Sequence, residues 1–224
     1  MLNVNELIGF GVGGVSIQDS RFVTFVHSVS SKPYTFTSTD IGTPDPTRVL
    51  VVAVQSYSAS PNIDYVRVDG VNMTEVAVQR SGSDLTEVGL WAIPWPAGDT
   101  ATITYSVAGA VNYGCAAVYA LYGLQSATPY VTAGDGTEPI VLSSNVDAGS
   151  FGIAIDRQHQ NTTPNTATWV GLSKNHEVTN MSGNTTTVSC ASQLFNATES
   201  PRTINVTWTL ATDGHRAGIF AAWK

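Results

Sequence analysis

Hydrophobic and polar residues alternate along most of the chain, which is the pattern of strands that bury one face and leave the other in water. Two segments, 102–107 and 203–210, show this alternation clearly. Their apolar positions are Ile103, Tyr105 and Val107 in the first segment and Ile204, Val206, Trp208 and Leu210 in the second. No window long enough for a helix has a sustained period of 3.6 residues with caps, so we predict an all-β protein.

Four other segments are apolar at nearly every position. They are Val49–Val54, Cys115–Leu121, Phe151–Ile155 and Ala217–Trp223. Continuous runs of this length are typical of central strands that are covered on both faces. We therefore expect these four segments near the centre of their sheets.

An Asp69-Gly70 pair lies between the alternating flanks Val66–Val68 and Val71–Met73. Such a pair suits a type I′ turn, because both central residues of that turn need a positive φ. The segment predicts a β-hairpin.

An internal repeat is present at a constant spacing of 101 residues. Ala154 follows Ala53 at this distance, as Ile204 follows Ile103. The hydrophobic order around these positions also recurs, even where residue identity does not. We predict a duplicated strand order.

The repeat allows two architectures. In one, residues 21–224 form a single large antiparallel β-sandwich, of jelly-roll or immunoglobulin-like kind, built from two pseudo-symmetric halves at about 34–123 and 137–224. In the alternative, the halves are tandem sandwich domains and the stretch 124–139 is their linker. Because that stretch still carries Tyr130 and Val131, we expect the single sandwich.

Residues 1–20 are interpreted as an N-terminal anchoring arm. Four glycines between Gly9 and Gly14 interrupt its apolar residues, and a regular helix there would be costly in backbone entropy. Such a segment cannot form a core of its own. We predict that its apolar side chains make assembly contacts with another chain; these are Leu7, Ile8, Phe10 and Val12. In the alternative, the arm lies along its own sandwich.

Composition and charge narrow the choice of partners. Charged residues make up 12% of the chain, and its formal net charge is −7. We expect no nucleic-acid partner, because the few basic residues are scattered and supply no footprint for phosphates. We also expect no membrane partner, because no apolar run reaches the roughly 18 residues of a spanning helix.

No catalytic residue, metal site or cofactor is expected. The four histidines lack metal-ligand spacing, and neither a nucleophile elbow nor a phosphate-binding loop is present. Two clusters, 156–159 and 213–216, combine an acid, a histidine and an arginine at predicted strand ends. Ion pairs and turn chemistry are the usual explanation of such clusters, so we predict that the protein is not an enzyme.

Aromatic residues are the one feature that points to ligand binding. Trp95 lies between two prolines, and Tyr113 and Tyr130 lie near predicted strand ends, where exposed rings could stack on sugars. Packing of such rings in the core or at its corners is the main interpretation. Glycan binding by Trp95, Tyr113 and Tyr130 is the alternative.

Five segments carry a resemblance to a known group of proteins. They are the arm NELIGFGVGG, the first strand FVTFVHSVSS, the strand RVLVVAV after the turn DIG, the hairpin V-x-V-D-G-V and the closing strand AGIFAAWK. Across nearly the whole chain, this pattern resembles accessory β-sandwich proteins of bacteriophage and prophage particles. In that group the sandwich is typically a decoration, spike, fibre or tail-associated module without catalysis, and the arm commonly anchors it.

The resemblance implies a non-enzymatic structural component of a phage particle, a decoration or tail-associated protein attached through its N-terminal arm. The implied partners are other virion proteins in a homo-oligomer or lattice. The implied location is the virion, assembled in the bacterial cytoplasm. The alternative function is a carbohydrate-binding, lectin-like module that mediates attachment to the host surface.

Overall fold

The computed structural model describes residues 16–28, 32–57, 62–82, 85–108, 113–137, 139–160, 165–179, 185–209 and 215–224. These residues form strands and connecting turns, with one short 3₁₀ turn at Ile17–Asp19. All the strand pairs are antiparallel. The prediction of an all-β, antiparallel sandwich protein is confirmed.

Seventeen strands are present in the described residues. The first nine are β1 (Arg21–Ser28), β2 (Tyr34–Asp40), β3 (Val49–Tyr57), β4 (Ile63–Val68), β5 (Val71–Asn72), β6 (Thr74–Arg80), β7 (Thr86–Pro94), β8 (Thr100–Val107) and β9 (Gly114–Leu121). The other eight are β10 (Val131–Asp135), β11 (Ile140–Val146), β12 (Phe151–Gln160), β13 (Ala167–Val170), β14 (Ser173–Val178), β15 (Thr185–Leu194), β16 (Glu199–Trp208) and β17 (His215–Trp223).

The strands form four sheets. Sheet I has the spatial order β1-β9-β3-β7-β6, and sheet II has the order β2-β8-β4-β5. Sheet III has the order β10-β17-β12-β15-β14, and sheet IV has the order β11-β16-β13. The four continuous apolar runs are β3, β9, β12 and β17, and each lies between two neighbours in sheet I or III, as predicted.

Buried side chains fill the spaces between the sheets, which are stacked in the order II, I, III, IV. Val52 and Ile103 belong to the cluster between sheets I and II. Phe220 and Ile204 belong to the cluster between sheets III and IV. Each half of the chain therefore contributes its own pair of sheets with a core between them.

A third cluster, which we call the central core, lies between sheets I and III. It contains Val51, Leu90 and Ala117 from the first half together with Ile153 and Ile219 from the second half. All five are buried, and side chains of the two halves contact each other there. Since separation of the halves would expose this apolar surface to water, the central core holds them together as one block.

The order of the strands repeats between the halves. If β1, β9, β3, β7 and β6 are replaced by β10, β17, β12, β15 and β14, the order of sheet I becomes the order of sheet III. The strands β2, β8 and β4 of sheet II correspond in the same way to β11, β16 and β13 of sheet IV. The predicted duplication of strand order is confirmed.

The constant spacing of 101 residues, however, does not preserve the direction of the side chains in every strand. Ala53 faces the central core, whereas Ala154 faces sheet IV. The residue of β12 that shares the direction of Ala53 is the next one, Ile155. Ile103 and Ile204, in contrast, both face the core between their own pair of sheets. A shift of one residue turns a strand over, so the ungapped alignment is wrong for the face of β12.

The hairpin at Asp69 and Gly70 is also confirmed. It joins β4 to β5, and Val68 pairs with Val71 across the turn. The φ angles are 45° at Asp69 and 81° at Gly70, both positive as a type I′ turn requires. The Asp69 carboxylate accepts a hydrogen bond of 2.7 Å from the Thr102 amide, which ties the turn to β8.

Candidate functional site

The predicted assembly contacts of the arm, Leu7, Ile8, Phe10 and Val12, lie outside the described residues. The part of the arm that is described, residues 16–20, is called the arm root here. It is a capped turn: the Ser16 amide donates to the Asp19 carboxylate at 2.7 Å, and the Ser16 hydroxyl accepts from the Gln18 amide at 3.3 Å. These contacts stabilise the turn of the arm root.

The arm root is held against the end of β9. The Tyr122 amide donates to the Ser20 hydroxyl at 3.0 Å, and Ile17 packs against the central core. Gly123 approaches the root so closely that a methyl group there would lie 3.2 Å from the Ile17 nitrogen. The arm root is therefore fixed at one end of sheet I.

A cleft of about 220 Å³ lies at the same end of the molecule, between the two halves. We call it the junction cleft. Val76, Ala92, Ala127 and Pro129 supply apolar, mostly half-buried walls, and Glu75 stands among the exposed residues of the rim. The remaining lining residues are Thr74, Pro94, Thr128 and Thr132. The cleft is smaller than the roughly 300–1,000 Å³ of most small-molecule sites.

Hydrogen bonds fix the wall of the junction cleft that the segment after β9 provides. The Trp223 indole donates to the Ala127 carbonyl at 2.9 Å. The Gln125 amide donates to the Lys224 carbonyl at 2.7 Å, and the Tyr130 amide donates to the Ala222 carbonyl at 3.0 Å. The cleft is thus held in shape by β17 of the second half.

A polar cluster lies at the opposite end of the boundary between sheets I and III. We call it the Arg157 cluster; its members are Tyr57, Thr86, Tyr113, Arg157, His159, Thr186 and His215. The fully buried Arg157 guanidinium donates to the Thr86 hydroxyl at 2.8 Å and to the Tyr113 hydroxyl at 2.5 Å. His159 Nδ1 lies 3.0 Å from the Thr186 hydroxyl, which Arg157 also contacts. Hydroxyl groups of both halves therefore share one buried cation.

Arg157 forms no ion pair with any carboxylate of the described residues. The Tyr57 ring covers its guanidinium at 4.7 Å, a cation–π contact that supplies part of the missing charge compensation. The predicted turn chemistry at 156–159 is wrong: all four residues lie within β12, and their side chains are buried. The local sequence could not show that the strand continues inside the block.

Asp156 is buried on the other face of β12, toward sheet IV. Its Oδ1 accepts a hydrogen bond from the Ser189 hydroxyl, which in turn accepts one of 2.8 Å from the Trp169 indole. Its Oδ2 has no hydrogen-bond partner within the described residues. Burial raises the pKa of Asp156 to about 8, although the Ser189 hydrogen bond opposes the shift. The carboxyl group is therefore protonated over much of the physiological range.

The three aromatic residues named for glycan binding lie in different environments. Tyr113 is 3% exposed and belongs to the Arg157 cluster, so its ring is not available for stacking on a sugar. Trp95 is half-buried and packs against the core between sheets I and II. Tyr130 is 40% exposed, but its hydroxyl accepts from the Asp147 amide at 2.9 Å and Lys224 lies over its ring. Glycan binding by Trp95 and Tyr130 stays a prediction.

The two cysteines are free thiols in the central core. Burial raises the pKa of both, to about 12 for Cys190, so neither is a reactive thiolate at neutral pH.

Among the residues that the structure describes, no group of three or more His, Cys, Asp or Glu side chains is arranged to hold a metal ion. In the same residues, no helix has the length and apolar character to cross a bilayer.

Sequence reasoning missed both the junction cleft and the Arg157 cluster. Thr86 and Arg157 are 71 positions apart, and Tyr113 and Thr186 are 73 apart, so no local pattern connects them. Since β12 continues through 156–159 and successive side chains of a strand point to opposite faces, Arg157 and His159 lie on the face of Ile155. All four residues are polar, so no hydrophobic alternation marked this in the sequence.

No protein-family model matches the sequence, and no curated protein matches it. A chain of a solved structure described as "Crystal structure of Cucumber Necrosis Virus" is similar to this one at 12% sequence identity. The alignment covers 95% of this chain and 91% of that chain, with a TM-score of 0.26.

Proposed function

We propose that this chain is a non-enzymatic structural component of a phage particle, attached to it through its N-terminal arm. In this role the sandwich is a rigid body, and the apolar residues of the arm, Leu7, Ile8, Phe10 and Val12, pack against another virion protein. The partners are other chains of the particle, in a homo-oligomer or lattice. A decoration or tail-associated position is the finer form of the proposal.

The central core is the observation that carries the proposal. The two halves share buried residues such as Leu90 and Ile219, so they cannot open or close like the domains of a hinged enzyme without exposing apolar surface. A block of this kind suits a protein whose task is to keep its shape while it is attached to a larger object. The arm root, fixed to β9 through Ser20 and Tyr122, would transmit that attachment to the block.

Deletion of residues 1–14 tests this function. We expect the shortened chain to fold and to be missing from purified phage particles assembled in its presence, because the apolar contacts are gone while Ser16 and the rest of the arm root remain. Incorporation is measured by immunoblotting of the particles, and folding by circular dichroism and thermal unfolding.

A matched control replaces the exposed Thr207 of β16 by serine, which should change neither folding nor incorporation. Normal incorporation of the shortened chain would contradict the proposal. If a glycan array instead detects sugar binding that Trp95→Ala abolishes, the lectin-like alternative is favoured.

A further inference from the structure

We propose that the junction cleft is the binding site of this chain's own arm, and that Phe10 occupies it before the protein is incorporated into a particle. This inference rests on the proposed function, because it explains where the apolar residues of the arm lie while no partner is present. The occupant is the segment 7–12 of the same chain.

The arm root lies close to the junction cleft. Ser16 and Ile17 lie against Gly123, at the start of the segment that leads to the junction cleft. From Gly123 to Ala127 is four residues, a span of at most about 14 Å, and Pro129 is at most about 21 Å away. The root and the cleft are therefore close neighbours at the same end of the molecule.

The reach of the arm matches this separation. Phe10 precedes Ser16 by six residues, which can span about 20 Å when extended. An arm that runs beside the segment from Gly123 to Pro129 thus has the length to bring Phe10 to the cleft. Leu7 and Ile8 could then cover the rim.

The chemistry of the cleft fits an aromatic or branched apolar side chain. Its walls are formed by Val76, Ala92, Ala127 and Pro129, and its volume is about 220 Å³, enough for one or two such side chains. Burial of a phenylalanine there would remove apolar surface of both partners from water. Glycine on both sides of Phe10 removes the side chains that would otherwise meet the exposed rim at Thr74 and Thr128.

Covalent connection favours the arm of the same chain over that of a second copy. A tethered segment has an effective concentration in the millimolar range when its length matches the span. A free chain at low concentration would therefore bind its own arm, and only a partner with a more extensive surface would displace it.

Disulfide trapping tests the inference. In the double variant Gly11→Cys/Thr128→Cys, mild oxidation should produce a crosslink within one chain, identified by mass spectrometry of the peptides. The native Cys115 and Cys190 are buried and should not react. A control variant, Gly11→Cys/Thr207→Cys, places the second cysteine on the exposed face of β16 and should crosslink poorly.

Two further experiments identify the occupant. Phe10→Ser in the double-cysteine chain should reduce the crosslinked fraction about tenfold, because the buried aromatic surface is lost. Mixing the Gly11→Cys chain with a separately tagged Thr128→Cys chain should yield no crosslink between them. Crosslinks only between chains, equal trapping at Thr128 and Thr207, or a yield that does not depend on Phe10 would each overturn the inference.

These outcomes are separate from those of the proposed function. If trapping fails but deletion of residues 1–14 still prevents incorporation, the arm attaches the protein without binding its own cleft. If trapping succeeds but the deletion leaves incorporation normal, the cleft binds the arm and the proposed function is wrong.

Discussion

The two halves of the chain share a strand order but bury their acidic groups differently. In the first half, Glu87 is 2% exposed, accepts a hydrogen bond of 2.8 Å from Arg80 and accepts another of 3.1 Å from the Ile63 amide. In the second half, Asp156 has one hydrogen bond from Ser189, and its pKa is raised to about 8. The first carboxylate is compensated as a charge, whereas the second is accommodated as a neutral acid.

This difference shows that a duplicated fold does not duplicate its electrostatics. Sheet order depends on the pattern of apolar residues, which both halves retain. The stability of a buried acid depends on the few atoms around it, and these differ between the halves. The boundary between the halves shows a third arrangement. There the buried Arg157 has neutral hydroxyl groups as hydrogen-bond partners, and these bonds link the halves.

The largest effect is expected at that boundary. Arg157→Ala should lower the free energy of unfolding by about 4 kcal/mol, because it leaves a cavity and removes the donor shared by Thr86 and Tyr113. Urea unfolding measures the loss. Arg67→Ala, which removes a partly exposed arginine of β4, is the control and should cost less than about 1 kcal/mol. Equal losses would mean that the Arg157 cluster does not join the halves.

The second-largest effect is expected at Asp156, which should make the free energy of unfolding depend on pH. Its pKa in the fold, about 8, is above the ordinary value of 3.8, so the folded protein keeps a proton that the unfolded chain releases as the pH rises above about 4. The contribution of this group to stability therefore falls between about pH 4 and about pH 8. Between about pH 5 and about pH 8, the unchanged protein should lose on the order of 3 kcal/mol of its free energy of unfolding through this group, and Asp156→Asn should abolish that loss.

Urea unfolding at both pH values measures the change. If the free energy of unfolding changes equally with pH in the Asn variant and in the unchanged protein, Asp156 is ionised in the fold. Since Asn retains the shape of the acid, a difference in slope is not a packing effect.

At neutral pH, Glu87→Gln should lower the free energy of unfolding, whereas Asp156→Asn should raise it. The change keeps the shape of the side chain but replaces the charged partner of Arg80, so we expect a loss of about 1 kcal/mol in the free energy of unfolding. Thermal unfolding at about pH 7 is a suitable measurement. A gain in stability would place Glu87 in the same class as Asp156 and remove the contrast between the halves.

The smallest effect is expected at Tyr119, which donates a hydrogen bond of 3.2 Å to the Asn175 side chain across the halves. Tyr119→Phe should cost about 0.5 kcal/mol, because Asn175 is partly exposed and water can replace the lost donor. Tyr105→Phe is the comparison within one half. That change leaves the buried Cys115 amide without its 2.8 Å partner and should cost about 2 kcal/mol. Equilibrium unfolding of both variants decides the order.

Much of the fold could be predicted from local pattern. The continuous run at Val49–Val54 is a central strand, and the Asp69-Gly70 pair is a hairpin turn, because each depends on residues that are adjacent in sequence. The candidate sites could be predicted only in part. The stretch 156–159 stood out as a charged cluster, but its burial could not be seen, because all four residues are polar and the residues that cover them, such as Thr86 and Ser189, are distant in sequence.

By itself, the sequence determined that the chain is built of strands, that their order is duplicated and which runs are central. Tertiary structure decided which face each repeated strand presents, as the opposite directions of Ala53 and Ala154 show. It also decided that Arg157 meets Thr86, 71 positions away, and that a cleft forms beside the arm root. The physical reason is that strand formation depends on neighbours in sequence, whereas facing direction and shared cores depend on register between strands that are distant in the chain.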